Sequence, residues 1–172
     1  MEKILITGGN GFIGMHLTKS LLKDKYDILG IDNINDFYSV NLKNARLNEL
    51  KLCKNFEFVK LDIANKAMLK KIFEKFNPHK VVNLAAQAGV GYSLVNPHAY
   101  VESNVIGFLN ILEMCKDYKV KGLIYASSSS VYGKNKKIPF SILDRVEEPI
   151  SIYAATKKSN ELMAHVYNHI YG

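Results

Sequence analysis

Cysteine is scarce in this chain, and long apolar runs are absent. Its 172 residues include two cysteines, Cys53 and Cys115. Two are too few for a disulfide framework, which favours a reducing compartment and two inert thiols. No run approaches the roughly 20 apolar residues that cross a bilayer, and the N-terminal stretch Ile4–Ile6 is far too short for a secretory signal. These absences predict a cytoplasmic chain with no membrane partner.

Internal repeats, low-complexity tracts and linkers rich in Pro, Gly or Ser are absent as well. At roughly 150 residues per domain, 172 residues correspond to one domain rather than two. The composition is 48% hydrophobic and 23% charged, which is typical of a globular protein and excludes disorder, collagen and coiled coil. We therefore expect one domain over residues 1–172.

Acidic residues are fewer than basic ones, 16 against 23, which gives a formal net charge of +7. A nucleic-acid surface needs a basic stripe with interleaved aromatics, or a known binding module. Neither is visible, because the basic residues are spread along the chain. The main groups are a set at helical spacing and a loop cluster: Lys66, Lys70, Lys71 and Lys75, and Lys134, Lys136 and Lys137. Nucleic acid is therefore not an expected partner.

Possible metal ligands are equally sparse. Glu161, His165 and His169 recur every four residues near the end of the chain. Without a second cluster of ligands, this spacing favours one face of an amphipathic helix or a dimer surface over a metal site. No metal is expected.

The chain does contain a regular alternation of short apolar runs with longer amphipathic ones. The apolar runs predict strands at Lys3–Thr7, Tyr26–Asp32, Phe56–Lys60, Lys80–Ala85 and Lys121–Ser127. The amphipathic runs predict helices at Phe12–Lys23, Leu42–Leu52, Lys66–Phe76, Pro97–Tyr118 and Tyr153–Tyr171. Such alternation produces right-handed crossovers and a parallel sheet covered on both faces. We therefore predict a doubly wound, Rossmann-like α/β fold.

A glycine-rich turn joins the first predicted strand to the first helix. Gly8, Gly11 and Gly14 have the spacing at which glycines form a tight turn, let the backbone approach a pyrophosphate and allow close helix–strand packing. The helix N-terminus, at Phe12 and Ile13, offers free N–H groups and the positive end of its dipole to phosphates. The motif predicts a dinucleotide site, although alone it could be a simple turn.

An acidic residue at the end of the second strand supports the dinucleotide site. Asp32 lies 18 residues after Gly14, close to the roughly 20 expected of the carboxylate that binds the adenosine ribose diol. Asn33 and the two residues after it include no Arg or Lys to hold a 2′-phosphate, which favours NAD over NADP. Asp62 and Ile63 follow the third strand and are predicted to close the adenine end, although Asp62 could instead cap a helix.

Tyr153 and Lys157 are candidates for an acid–base pair at the start of the last helix. Residues four apart share a helix face, so the phenol and the ammonium project together. Lowering a phenol pKa from about 10 to about 7 takes about 4 kcal/mol, which a nearby ammonium and a cationic nicotinamide can supply. A Tyr and a Lys at this spacing often occur together by chance. The serine-rich run Ala126–Gly133 strengthens the assignment, because it follows the fifth predicted strand and ligands bind beyond the carboxyl ends of strands in such sheets.

Together these motifs resemble the extended short-chain dehydrogenases/reductases of the nucleotide-sugar branch. Longer stretches are similar to UDP-glucuronate 4-epimerases, namely Asp32–Tyr38, Ala85–Val90, Asn96–Tyr100 and Tyr153–Lys158. The resemblance runs along essentially all of the chain. It implies NAD as the cofactor, a UDP-sugar as the substrate, and a homodimer through the helices near residues 97–118 and 153–171. The apolar residues at helical spacing in the first of these are expected to form core or a dimer seam: Phe108, Leu109, Ile111 and Leu112.

The resemblance also implies roles for individual residues. Tyr153 would take the proton from the sugar 4-hydroxyl while hydride passes from C4 to NAD, and the resulting ketone would receive the hydride back on its other face. Lys157 would hold the nicotinamide ribose and tune Tyr153, while Ser128 would hydrogen-bond the 4-oxygen. Ser129 and Ser130 would join Ser128 in binding the sugar. The implied cofactor-binding residues are Gly8, Gly11, Phe12, Ile13, Gly14, Asp32, Asn33, Asp62, Ile63, Leu84, Ala85, Ala86, Asn104, Tyr153 and Lys157.

Asn104 lies in an otherwise apolar helix and is expected to bond backbone beside the site rather than to react. Sugar 4,6-dehydratases carry Asp-Glu after the catalytic Ser/Thr, whereas this chain has Ser129-Ser130. That difference suits a uronate, because a like charge about 4 Å from its carboxylate could cost about 4 kcal/mol. Gly91 stands where relatives usually have Arg, which removes a possible partner for the sugar–phosphate end.

Relatives continue beyond the position of Gly172 with a lobe that grips the UDP-sugar, so this C-terminal substrate lobe is expected to be missing. Two alternatives to a UDP-glucuronate 4-epimerase stay open. One is another nucleotide-sugar epimerase, such as one that acts on UDP-glucose. The other is a catalytically silent NAD-binding domain.

Overall fold

Five short parallel strands form the centre of the molecule, which a computed structural model describes over residues 1–172. They are β1 (Lys3–Thr7), β2 (Asp27–Asp32), β3 (Phe56–Lys60), β4 (Lys80–Asn83) and β5 (Gly122–Tyr125). Their order across the sheet is β3-β2-β1-β4-β5. The order reverses direction between β1 and β4, and ligands of open α/β sheets bind at such a reversal. The predicted doubly wound, Rossmann-like fold is confirmed.

Seven α-helices and two irregular turns lie between or after the strands. The helices are α1 (Phe12–Lys23), α2 (Val40–Leu50), α3 (Lys66–Phe76), α4 (Tyr92–Val95), α5 (Pro97–Tyr100), α6 (Gly107–Asp117) and α7 (Ile152–Tyr171). A π-helical turn, Val101–Ile106, lies between α5 and α6, and a 3₁₀ turn, Ser129–Tyr132, follows β5. None of these helices is both long and apolar enough to cross a membrane.

Alternating side chains of the strands supply two cores, one on each face of the sheet. Leu5 belongs to one core while its neighbours Ile4 and Ile6 belong to the other, because successive strand residues point to opposite faces. The first core is completed by α3 and α6 through Leu69, Phe73, Ile111 and Met114. The second is completed by α1 and α2 through Met15, Leu47 and Leu50. Both faces of the sheet are therefore covered.

The predicted helix Pro97–Tyr118 is present but is not regular. Its middle turn, Val101–Ile106, is π-helical, and the short helix α4 before it was not predicted. Of the apolar residues expected in its core or seam, Phe108, Ile111 and Leu112 are buried whereas Leu109 is 38% exposed. Cys115, near its end, is enclosed enough that burial raises the thiol pKa to about 12.

Several predicted boundaries are wrong by one or two residues. Strand β4 ends at Asn83 and β5 covers Gly122–Tyr125, because these two four-residue segments are the whole of their mutual ladder. Strand β2 begins at Asp27 rather than Tyr26. Helix α2 covers Val40–Leu50 rather than Leu42–Leu52, since the Ser39 side chain accepts a hydrogen bond from the backbone N–H of Leu42 and caps the helix there.

The turn between β1 and α1 is packed so closely that its glycines are required. Gly8 has a φ of +69°, and a Cβ on it would lie 2.8 Å from the backbone nitrogen of Ala85. A Cβ on Gly14 would lie 2.2 Å from the carbonyl oxygen of Gly8. The helix start therefore touches the turn directly, and the turn touches the chain that follows β4.

We expect Gly14→Ala to lower the free energy of unfolding by about 1–3 kcal/mol, because the new methyl group must displace backbone rather than a flexible side chain. Urea denaturation followed by circular dichroism measures this. Gly91→Ala is the matched control, since a Cβ at Gly91 meets nothing within 4 Å. Equal denaturation midpoints for the two variants would show that the turn can accommodate a methyl group at Gly14.

Candidate functional site

A cleft of about 180 Å³ lies at the carboxyl ends of the strands, beside the reversal in strand order. Its walls come from the segments that follow β1, β2, β3 and β4. It brings together nine of the predicted cofactor-binding residues, which are Gly8, Gly11, Asp32, Asn33, Asp62, Ile63, Leu84, Ala85 and Ala86. The predicted residues are thus assembled from four separate stretches of sequence.

The floor of the cleft is the glycine turn. Gly11 is the N-cap of α1 and has no side chain to occupy the first N–H groups of the helix. Such N–H groups, together with the helix dipole, favour a phosphate. The side chains of Phe12 and Ile13 are 66% and 63% exposed and do not line the cleft, so a contribution from these two residues would come from their backbone.

Two carboxylates mark the end of the cleft formed by β2 and β3. Asp32 accepts hydrogen bonds from the backbone N–H groups of Asn10 (3.2 Å) and Ile34 (2.8 Å). Asp62 accepts from the Asn33 side chain at 2.8 Å. The alternative that Asp62 caps α3 is wrong, because the side chain that caps this helix is that of Asn65.

Lys43 also lines the cleft, although sequence reasoning missed it. Its side chain is 4% exposed, and its ammonium donates to the backbone oxygen (2.8 Å) and the side-chain oxygen (2.7 Å) of Asn35. The ammonium also lies 4.4 Å from the centre of the Tyr38 ring. Burial lowers the pKa of Lys43. A cation therefore does border this end of the cleft, supplied by α2 rather than by the residues that follow Asp32.

Tyr153 and Lys157 lie on the first two turns of α7, outside the lining of the cleft. The helix is capped by Ser151, whose hydroxyl accepts from the backbone N–H of Ala154 at 3.0 Å. The ring of Tyr153 meets that of Tyr100 edge to face, with centroids 6.0 Å apart. Helix α7 packs against the π turn and the 3₁₀ turn Ser129–Tyr132. The helix that carries the pair therefore lies beside the serine-rich run.

The serine-rich run forms a tight turn at the end of β5. Ser128 is the N-cap of the 3₁₀ turn, and its hydroxyl accepts from the backbone N–H of Ser130 at 3.2 Å. Ser128 and Ser130 are half-buried and Ser129 is exposed. Ser127 donates to Glu161 of α7 at 2.6 Å, which ties this turn to the helix of Tyr153 and Lys157.

Lys157 is a buried lysine with a lowered pKa. It is 3% exposed, and burial lowers its pKa from the usual 10.5 to about 8, while the charge of Glu161 opposes that shift. The Glu161 carboxylate accepts a hydrogen bond from Lys158 at 3.0 Å, so its charge is shared. A lysine in this state changes protonation close to physiological pH, as active-site groups often do.

Asn104, on the π turn, connects the cleft with α7. Its side chain accepts from the backbone N–H of Gln87 at 2.7 Å and donates to the Gln87 carbonyl at 3.0 Å. It also donates to the Thr156 hydroxyl at 3.0 Å. Asn104 is 2% exposed and its amide is occupied by these bonds. It therefore acts on the cleft by holding Gln87 rather than by lining it.

A family model described as GDP-mannose 4,6 dehydratase matches residues 5–172 of this chain. The chain belongs to this family. Among curated relatives, Protein CapI of Staphylococcus aureus is 55% identical over 169 residues, which are 98% of this chain and 50% of the relative. UDP-glucuronate 4-epimerase of Thermodesulfobacterium geofontis is 50% identical over 172 residues, which are 100% of this chain and 53% of the relative.

Solved structures of nucleotide-sugar epimerases are similar to this chain as well. UDP-glucuronic acid 4-epimerase of Bacillus cereus, in complex with UDP-glucuronic acid and NAD, has a TM-score of 0.86 and 36% identity, and the match covers 98% of this chain and 53% of that one. The UDP-Glc/GlcNAc 4-epimerase of Campylobacter jejuni has a TM-score of 0.90 and 27% identity, with coverage of 98% and 50%. The predicted resemblance to nucleotide-sugar epimerases is confirmed. The chain spans about half the length of the curated relatives it matches.

The electrostatics of Lys157 predict a stability that depends on pH. Its pKa is lower in the folded state, so the unfolded state binds more protons between about pH 8 and 10.5, and stability rises across that interval. Below pH 8 the buried charge destabilises the fold by at most about 3 kcal/mol. We therefore expect Lys157→Met to raise the melting temperature at pH 7 and to lose that advantage near pH 10.

Differential scanning fluorimetry at several pH values measures this difference. Lys51→Met is the control, because Lys51 is exposed and its substitution removes no buried charge. A Lys157→Met variant that is less stable than the wild type at pH 7 would contradict the conclusion that the lysine is buried at a cost.

Proposed function

We propose that this chain is the NAD-binding and catalytic half of a UDP-glucuronate 4-epimerase. The observation that carries the proposal is the placement of Lys157, buried and with a pKa of about 8, one helical turn after Tyr153. Both lie on a helix joined through Thr156 and Asn104 to the wall of a dinucleotide-type cleft. A structural lysine on a surface helix would not be expected to show this burial.

The residues of the cleft fit NAD. The glycines make a cradle that a Cβ would fill at Gly8, and the N-terminus of α1 has no side-chain cap, so its N–H groups would be available to the phosphates. Asp32 would accept hydrogen bonds from the adenosine ribose diol, and Lys157 would donate to the nicotinamide ribose. Relatives of known structure are described as NAD complexes, including the enzymes of Bacillus cereus and Thermus thermophilus.

Bound NAD would supply a reversible hydride acceptor for C4 of the sugar, so that the hydride lost from one face is regained on the other. Tyr153 would remove the proton from the 4-hydroxyl and later give it back, with the charge of Lys157 favouring the phenolate. Ser128 would donate a hydrogen bond to the 4-oxygen through both steps. Its hydroxyl proton is free for this, because in the turn its oxygen acts as an acceptor.

The side chains near the sugar favour a uronate over a neutral sugar. Ser129 and Ser130 can donate hydrogen bonds to a carboxylate, whereas the Asp-Glu pair of dehydratases would repel it by about 4 kcal/mol at 4 Å. The relatives from Thermodesulfobacterium geofontis and Bacillus cereus are both named for UDP-glucuronate. UDP-glucose is the second candidate substrate, because the similar protein of Thermus thermophilus is named UDP-glucose 4-epimerase.

The test is a chimera in which this chain replaces the matched half of the Thermodesulfobacterium geofontis enzyme. We expect the chimera to interconvert UDP-glucuronate and UDP-galacturonate, and Tyr153→Phe to lower kcat by about 10²- to 10⁴-fold while NAD stays bound. Product formation is followed by chromatography of the UDP-sugars. Tyr26→Phe, far from the site, is the matched control.

Two outcomes would redirect the proposal. Turnover of UDP-glucose without turnover of UDP-glucuronate would favour the second substrate. NAD binding by the chimera with no turnover of either sugar, while the intact relative is active in the same assay, would assign a silent NAD-binding module.

We further propose a homodimer through the helices around residues 97–118 and 153–171. Leu162, Val166 and Ile170 form an apolar stripe along α7 and are 58%, 48% and 60% exposed. An apolar stripe of this kind suits a self-complementary two-fold interface.

A cytoplasmic location stays a prediction of the sequence.

If the stripe is the interface, Leu162→Glu/Val166→Glu should convert a dimer to a monomer in sedimentation velocity, because it would bury two like charges from each copy. Ile142→Glu is the control: Ile142 is 94% exposed and lies in the loop before α7. A wild-type chain that sediments as a monomer at high concentration, or a dimer unaffected by the double substitution, would exclude this interface.

A further inference from the structure

Gln87 stands out because its amide is buried without a well-formed hydrogen bond. The side chain is 6% exposed, and its amide nitrogen makes no hydrogen bond of normal geometry, although the Tyr100 hydroxyl lies close to it. Leaving a buried donor poorly paired is unfavourable, so a better-placed acceptor on a bound ligand would be favoured. Asn10 and Thr18 also have unpaired buried atoms, but of these three residues Gln87 alone lines the cleft.

The backbone around Gln87 is fixed from two sides. Asn104 binds both the N–H and the carbonyl of Gln87, at 2.7 and 3.0 Å. The Tyr100 hydroxyl donates to the carbonyl oxygen of Ala88 at 2.7 Å. These bonds hold the backbone of Gln87 at the cleft. The last torsion of its side chain has a broad energy profile, so the amide can turn towards a ligand at little cost.

The strand order shows which part of a dinucleotide Gln87 would meet. The segments after β2, β1 and β4 follow one another across the edge of the sheet, and they carry Asp32, Gly8 and Gln87 in that order. In the proposed NAD complex, Asp32 binds the adenosine ribose and the Gly8 turn binds the pyrophosphate. Gln87 consequently lies towards the nicotinamide half, on the side where Asn104 connects to Thr156 and hence to the neighbourhood of Lys157.

We infer that Gln87 is a cofactor-binding residue whose amide nitrogen donates a hydrogen bond to an oxygen of the nicotinamide half of NAD. The inference rests on the proposed binding of NAD and adds a residue that neither the glycine motif nor the Tyr153–Lys157 pair includes. It also explains the hydrogen bonds of Asn104, which fix the Gln87 backbone and so limit the positions that the Gln87 amide can reach.

The test compares Gln87→Met with the wild-type chain in two assays. Methionine has a similar length and no donor, so NAD should bind at least about five-fold more weakly, the order expected for one hydrogen bond. Binding of AMP, which contains only the adenine half, should be unchanged. The melting temperature of the free chain should be equal or higher, because a poorly paired buried donor has been removed. Isothermal titration calorimetry and scanning fluorimetry measure these quantities.

Gln87→Glu is the second variant, since it keeps the shape of the side chain and replaces the donor with an acceptor. It should bind NAD more weakly than Gln87→Met does. Gly91→Ala, a few residues further along the same loop, is the control with unchanged affinity. Equal NAD affinity of Gln87→Met and the wild type would overturn the inference, as would a parallel loss of NAD and AMP binding or a fall in melting temperature. Failure of the wild-type chain to bind NAD would instead overturn the proposed function and this inference with it.

Discussion

The close approach of backbone to backbone around Gly8 is the constraint on which the rest of the site depends. Gly8 touches the chain after β4 at Ala85, and the start of α1 touches Gly8 through Gly14. These contacts set the distance between the helix N-terminus and the two neighbouring strand ends. Because no side chain intervenes, the floor of the cleft consists of peptide groups, which are the groups that can bind phosphate.

A second set of contacts joins this floor to the residues proposed for chemistry. Asn104 holds Gln87 on one side and Thr156 on the other, and Asn160 donates to the carbonyl oxygen of Asn104 at 2.6 Å. The cofactor cleft and α7 are therefore linked through buried hydrogen bonds rather than through a flexible loop. Buried networks of this kind are rigid when all members are satisfied, which suits the proposed return of hydride to the same carbon.

Local patterns in the sequence were sufficient for the parts of the fold that local chemistry determines. The spacing of Gly8, Gly11 and Gly14 and the position of Asp32 predicted one cleft, and the structure assembles these residues there, except for Gly14, which packs beneath the turn. The sequence could not show that Lys43 joins them, since its place depends on how α2 packs. Nor did it predict the π turn or α4, because their geometry follows from tertiary contacts of Asn104 and Tyr100 rather than from apolar periodicity.

The π turn makes the number of residues in its helix part of the site. An α-helix rotates by about 100° per residue, and a π turn accommodates one residue more than a regular turn. Deleting a residue within Val101–Ile106 would restore a regular helix but rotate Asn104 away from Gln87, or else turn Phe108 and Ile111 out of the core. This stretch should consequently tolerate substitution more readily than insertion or deletion as the family diverges.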